Sequence, residues 1–188
     1  CLDDTYIKKI LKKLKTKNYF TYGFDSKANY QICNPRYSID YTKFDLKIKN
    51  ISPKKIYINN ISLKLIGKYN VLNATAAIAL CLNLGLKIKI IKQALKNFSG
   101  VQRRLTKVFK KNKVEFYDDY AHHPTEIKSV LEAVKKVVPK KKIIIVFQPH
   151  RYSRVRTLNQ EFASCFKDAD QIILCPVYSA GEAVDKKY

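Results

Sequence analysis

The sequence predicts an α/β protein in two parts: a small antiparallel sheet with helices, followed by a mainly parallel α/β layer. Three observations lead there. Two strand–loop–helix units follow one another over residues 114–138 and 142–166, with connections short enough to imply a right-handed βαβ unit and parallel strands. Five short alternating runs lie within residues 19–58, punctuated by Gly23, Asp25, Asn34-Pro35 and Ser52-Pro53. Residues 67–84, between these regions, are apolar nearly all round, the pattern of a buried helix.

Taken in order, residues 4–15 read as an amphipathic helix with Ile7, Ile10, Leu11 and Leu14 on one side. The tyrosines among the alternating runs read as strand surface, because no basic-aromatic motif of an RNA-binding sheet accompanies them. Gly85 is placed to end the buried helix. Within that helix Asn70 reads as a cap, whereas Asn73 is an amide in a buried setting and needs partners. Residues 88–98 form a further helix, and Ser99-Gly100 is the best boundary, dividing the chain into 1–98 and 99–188. A hairpin follows, 105–109 and 114–117, turning through Lys110-Lys111-Asn112-Lys113.

Pro124 suits a first helical position, where its missing N–H would have no partner anyway, and Ile127, Val130, Leu131, Val134 and Val138 continue one buried face. Residues 142–147 are an apolar run of strand length, and Val155, Leu158, Phe162 and Phe166 predict a single helix after it. Neighbouring parallel strands deliver their carboxyl-end loops to one edge of a sheet, where open α/β folds bind ligands. His122 and His123 are therefore expected to face His150, Arg151 and Arg154 across one cleft.

The formal net charge of +22 ordinarily points to nucleic acid or an anionic membrane. Its distribution argues against both, because lysines are scattered over every segment as a background on solvated faces. Arginine behaves differently. Only six are present, and Arg103, Arg104, Arg151, Arg154 and Arg156 cluster near the loops that hold all three histidines. In a lysine-saturated chain, clustered Arg marks positions that need a planar fork for carboxylate or phosphate. Five cysteines without a CxxC pair suit reduced thiols and a cytoplasmic protein, and no apolar run is long enough to span a membrane. Adjacent loop residues such as His122 and His123 rarely both reach one ion, so no metal site is expected. The absence of Met and the trailing end after residue 178 predict truncation at both ends.

Four stretches carry a resemblance: Gly67-Lys68-Tyr69-Asn70-Val71-Leu72-Asn73-Ala74, Gly100-Val101-Gln102-Arg103-Arg104, Asp118-Asp119-Tyr120-Ala121-His122-His123-Pro124-Thr125-Glu126 and Phe147-Gln148-Pro149-His150-Arg151-Tyr152-Ser153-Arg154. In this order and at these intervals they resemble the Mur ligase family of peptidoglycan precursor synthesis, over residues 1–182. The resemblance implies that residues 1–98 are the late part of a central ATP-binding domain and 99–188 the first part of a Rossmann-like carboxyl-terminal domain, which binds the amino acid. It also implies ATP-dependent ligation of L-alanine to UDP-N-acetylmuramate through an acyl phosphate, with Mg2+ ligands mostly outside this chain. The chain alone is expected to be inactive, since no glycine-rich phosphate loop is present.

By the same resemblance, Asn70 and Asn73 contact the adenine end of ATP, Arg104 meets its phosphates, and Asp119 and Tyr120 lie near its ribose. His122, His150, Arg151 and Arg154 hold the incoming amino acid, with His122 and Arg104 as the catalytic candidates. For His122, orienting the ligand is favoured over taking the proton. Tyr69 stands where the family usually has histidine, and Gln102 where it commonly has glycine. The competing readings are a ligase that recycles whole peptides onto UDP-N-acetylmuramate, a basic nucleic-acid-binding module, and a degenerate remnant with a structural role only.

Overall fold

Alternation builds the first sheet. In the computed structural model, which describes residues 1–16, 18–49 and 55–184, the strands β1 (Tyr22–Gly23), β2 (Tyr30–Tyr37), β3 (Thr42–Ile48) and β4 (Ile56–Leu63) lie in that order. The pair β1–β2 is parallel, and β2–β3 and β3–β4 are antiparallel. In β3 every second residue is buried, so Thr42, Phe44, Leu46 and Ile48 form one inward face. Asn34-Pro35 does not end a strand as expected. Asn34 takes a left-handed φ of 49°, the register shifts there, and β2 continues as a bulged strand. The Ser52-Pro53 turn lies outside the described residues.

Two helices cover this sheet, α2 (Lys68–Asn83) and α3 (Ile88–Asn97). Val71, Ala74, Ile78 and Ala79 of α2, and Ile91 of α3, join Tyr30, Ile32, Phe44, Leu46 and Ile61 in one core. Burying each large side chain there contributes about 1.5–3 kcal/mol. The α2 helix is not buried all round, however. Leu80 and Leu84 are exposed, and so is Asn73, because the sheet covers one side only. Gly85 follows its last turn with φ +83°, as a helix-ending glycine should. The amino-terminal helix α1 (Thr5–Leu11) is shorter than expected and buries none of its residues. Asp4 caps it by accepting the Ile7 N–H at 2.9 Å.

The chain divides into two compact units, Cys1–Ser99 and Gly100–Tyr188. The second opens with the hairpin β5 (Thr106–Lys111) and β6 (Val114–Asp118), whose tight turn places Asn112 at φ 55°. Then come α4 (Pro124–Val137), β7 (Ile144–Phe147), α5 (Tyr152–Thr157), α6 (Asn159–Cys165) and β8 (Gln171–Leu174). The single helix expected after β7 is two, broken at Leu158, whose φ of −117° leaves the helical range.

The expected pairing of β6 with β7 also fails. Among the described residues β6 pairs with β5 across the hairpin, and the parallel partner of β7 is β8. The parallel βαβ unit is therefore β7–α5–α6–β8, one step later than the spacing suggested. Ile127 and Leu131 of α4 close onto Phe147, Cys165 and Phe166 to make the core of this unit. No described helix is long and apolar enough to cross a membrane.

Candidate functional site

The loop after β6 is held by its own carboxylates. Asp119 accepts the Leu105 N–H on one oxygen and the Ala121 N–H on the other, both at 2.7 Å. The N–H of Tyr120 donates to the Arg103 carbonyl at 2.7 Å, and the Arg103 guanidinium lies 4.8 Å from the centre of the Tyr120 ring. Arg103 and Leu105 both adopt left-handed φ angles, 58° and 49°. A strained, multiply anchored backbone of this kind persists only where its surroundings over-determine it.

Glu126 organises the next step. In the first turn of α4 its Oε2 accepts the N–H groups of His122 and His123 at 3.1 and 3.3 Å, while Oε1 lies 3.7 Å from the Arg104 guanidinium. His123 is the N-cap of α4, and its ring accepts the Thr125 N–H at 3.3 Å. Together these contacts make a capping box with histidine in the cap position. Burial opposes ionisation of Glu126, but the N–H and ring of His122, the His123 N–H and Arg104 outweigh it. They hold its carboxyl below the usual range.

His122 is differently placed. Its Nδ1 is 2.9 Å from the Tyr120 carbonyl, which can only accept, so Nδ1 carries the proton. In the neutral ring Nε2 is then a lone-pair acceptor. The ring centre of His122 lies 6.3 Å from that of His150, which follows β7. The His150 ring lies 5.5 Å from that of Tyr178, tilted by 39°, and the two residues form a backbone β-bridge after β8. Burial, then the charges of Arg154 and Arg151, hold the His150 imidazole below its ordinary range, with Glu182 opposing.

Arg154 lies in the first turn of α5, and its Nη1 is 3.5 Å from both Nδ1 and the carbonyl of His150. These contacts sit at the limit of hydrogen bonding and hold the guanidinium lightly. Arg151 is exposed, with φ +72° and ψ 129° at the N-cap of α5, an uncommon conformation for a residue with a side chain.

The second unit therefore gathers His122, His150 and Arg154 in one cluster, with Arg151 beside it and Arg104 linked to His122 through Glu126. His123 does not face the cluster as expected, because it serves as a helix cap. Asn70 and Asn73 belong to the first unit, on α2. Asn70 is not a cap: Gly67 holds that position, and the Asn70 amide donates back to the Ile66 carbonyl at 2.8 Å. The exposure of Asn73 removes the argument that a buried amide demands a partner.

Sequence reasoning missed Glu126, Tyr178 and Glu182. A capping-box spacing from His123 to Glu126 was available as a signal for the first. The other two lie beyond β8 and carry no local pattern. Among the described residues no group of three or more His, Cys, Asp or Glu side chains converges as a metal site would need. None of the five cysteines is paired, and burial pushes the Cys165 thiol up to about 11, which makes it inert.

The chain matches two family models, the Mur ligase middle domain over residues 1–81 and the Mur ligase glutamate ligase domain over residues 103–187. A UDP-N-acetylmuramate–L-alanine ligase of Pelagibacter ubique is 48% identical over 98% of this chain and 40% of its own length. The enzyme of the same name from Agrobacterium fabrum is 42% identical over 97% of the chain and 39% of its own length. The chain thus spans about 40% of the length of these curated relatives. Among solved structures, the UDP-N-acetylmuramate–alanine ligase of Thermotoga maritima superposes with a TM-score of 0.70 at 32% identity, covering 85% of this chain and 34% of the other.

Proposed function

Because the chain belongs to the Mur ligase family, we propose that it serves the ATP-dependent ligation of L-alanine to UDP-N-acetylmuramate in peptidoglycan precursor synthesis. Residues 1–98 supply the late part of the central domain and 99–188 the first part of the amino-acid-binding domain. The observation that carries this reading is the cluster of His122, His150 and Arg154 where two strand-end loops meet.

In that reaction the amino nitrogen of L-alanine attacks an acyl phosphate formed on the UDP-N-acetylmuramate carboxylate. A C–N bond forms, the C–O bond to phosphate breaks, and the amine gives up a proton. The guanidinium of Arg154, joined by that of Arg151, takes the α-carboxylate of L-alanine as a forked donor. With the carboxylate fixed, the amine is oriented by the acceptor Nε2 of His122, which can also take its proton. A neutral His150 adds no charge that would compete for the carboxylate.

The nucleotide residues fit ATP chemically. Arg104 is partly exposed and held only at 3.7 Å by Glu126, so a phosphate can displace that partner. Asn73 presents an exposed amide, and Asn70 a half-buried one, to the adenine. Both Asp119 oxygens already accept a backbone N–H, yet each keeps a lone pair for a ribose hydroxyl. Mg2+, which accompanies ATP in this family, finds no cluster of three or more His, Cys, Asp or Glu ligands among the described residues. A cytoplasmic reaction is the reading that ATP and a nucleotide sugar as substrates support, and five unpaired thiols agree with it.

The names of the relatives at 48% and 42% identity favour this ligation over peptide recycling. The test is phosphate release from ATP by the protein as the cell encodes it, with UDP-N-acetylmuramate and one amino acid at a time. Release with L-alanine well above that with glycine or D-alanine is expected. Equal release with every amino acid, or none with L-alanine, overturns the reading.

A further inference from the structure

We propose that Glu182 is a positioning residue for the candidate amino-acid site, capping from 29 residues away the helix that carries Arg154. A helix leaves its first N–H groups without intrahelical partners, and the N-cap side chain usually supplies an acceptor. Here the N-cap is Arg151, whose side chain has donors only, and α5 has no local side-chain cap. The residue in the cap position thus has a side chain that cannot accept an N–H.

Glu182 fills the gap. Its Oε2 accepts the Ser153 N–H at 3.0 Å and its Oε1 the Ser153 hydroxyl at 2.5 Å. Hydrogen bonds from the Ser153 side chain and backbone, followed by the charge of Arg151, keep this carboxyl below the usual range. Glu182 is ionised at neutral pH and already occupied, so it steadies the helix and does not hold the substrate. Its delivery is built into the backbone. Ala180 and Gly181 both take left-handed φ angles, 51° and 86°, and the Glu182 N–H returns to the Ser179 carbonyl at 3.1 Å. The same segment grips the other side of the loop. The Tyr178 carbonyl accepts the Arg151 N–H at 2.8 Å, and the Tyr178 N–H donates to Pro149 at 2.9 Å. Residues 178–182 therefore fix His150, Arg151 and the start of α5 together.

This inference rests on the amino-acid-site reading, and its test separates the two. In the protein as the cell encodes it, Glu182→Gln is expected to raise KM for L-alanine roughly three- to thirtyfold, the range of a lost helix cap. The KM values for ATP and UDP-N-acetylmuramate stay put, and Glu182→Asp recovers part of the loss. Independently of activity, NMR of this chain should show the Ser153 amide moving in Glu182→Gln. The His150 midpoint should fall there too, because a negative neighbour is removed. An unchanged Ser153 amide and His150 midpoint overturns the capping. A loss spread equally over all three substrates, with a lowered Tm, overturns the positioning role in favour of a purely structural one. Wild-type protein without L-alanine-dependent turnover, but with the NMR shifts intact, sinks the functional reading and leaves the cap standing.

Discussion

Replacing Arg154 by Lys keeps the charge at the first turn of α5 and removes the fork. Among the described residues the guanidinium has two hydrogen-bond contacts, both to His150 and both at 3.5 Å. Contacts that long contribute little to stability, so Arg154 is free to turn toward a carboxylate, and its replacement leaves the fold intact. The effect therefore falls on the ligand. A hydrogen bond between charged groups is typically worth about 1.5–3 kcal/mol, which converts to roughly a ten- to hundredfold change in affinity. Arg154→Lys is expected to raise KM for L-alanine by about that factor while Tm stays within a degree or two. Steady-state kinetics with each substrate varied in turn reads the effect directly. If the loss appears chiefly in the ATP term, Arg154 belongs to a phosphate site and the division of labour between the loops is wrong.

Three further outcomes follow from the same contacts. By NMR titration, His150 should lose its proton at a pH below the ordinary histidine value of about 6.5, and Arg154→Gln should raise the midpoint. Since His150 is harder to protonate folded than unfolded, its contribution is complete above about pH 6.5 and is lost as pH falls toward the folded midpoint. Stability that did not decline over that window would contradict the assignment. Asn73→Ala should weaken ATP saturation without changing Tm, because the amide is exposed; a drop of several degrees in Tm would show a structural role. Leu131→Ala, in the small core of the second unit, should cost about 2–5 kcal/mol, read by denaturant titration, and a negligible change would mean that α4 is not anchored there.

How much of this was legible in the sequence depends on the range of the interactions. Strand alternation in β3, the Pro124 start of α4 and the Gly85 end of α2 rest on local rules, and the structure has all three. The meeting of His122 and His150 was also foreseeable from the sequence, though not by way of a β6–β7 pair, because a two-residue turn ties β6 to β5 at little entropic cost. The break at Leu158 was hidden because the apolar spacing of Val155, Leu158, Phe162 and Phe166 suits one helix or two. Asn73 was misjudged because an apolar composition does not say how many sides of a helix are covered. Tyr178 and Glu182 act across about 28 residues of chain, a separation over which sequence pattern carries no information.

The central claim is that the loops after β6 and β7 form one amino-acid site. The most direct measurement is the NMR signal of the His122 and His150 rings during a titration with L-alanine, in the protein as the cell encodes it with UDP-N-acetylmuramate and a non-hydrolysable ATP analogue present. Both rings should shift together, with one dissociation constant, and D-alanine should leave them in place. Rings that respond to the nucleotide analogue but not to L-alanine would contradict the account.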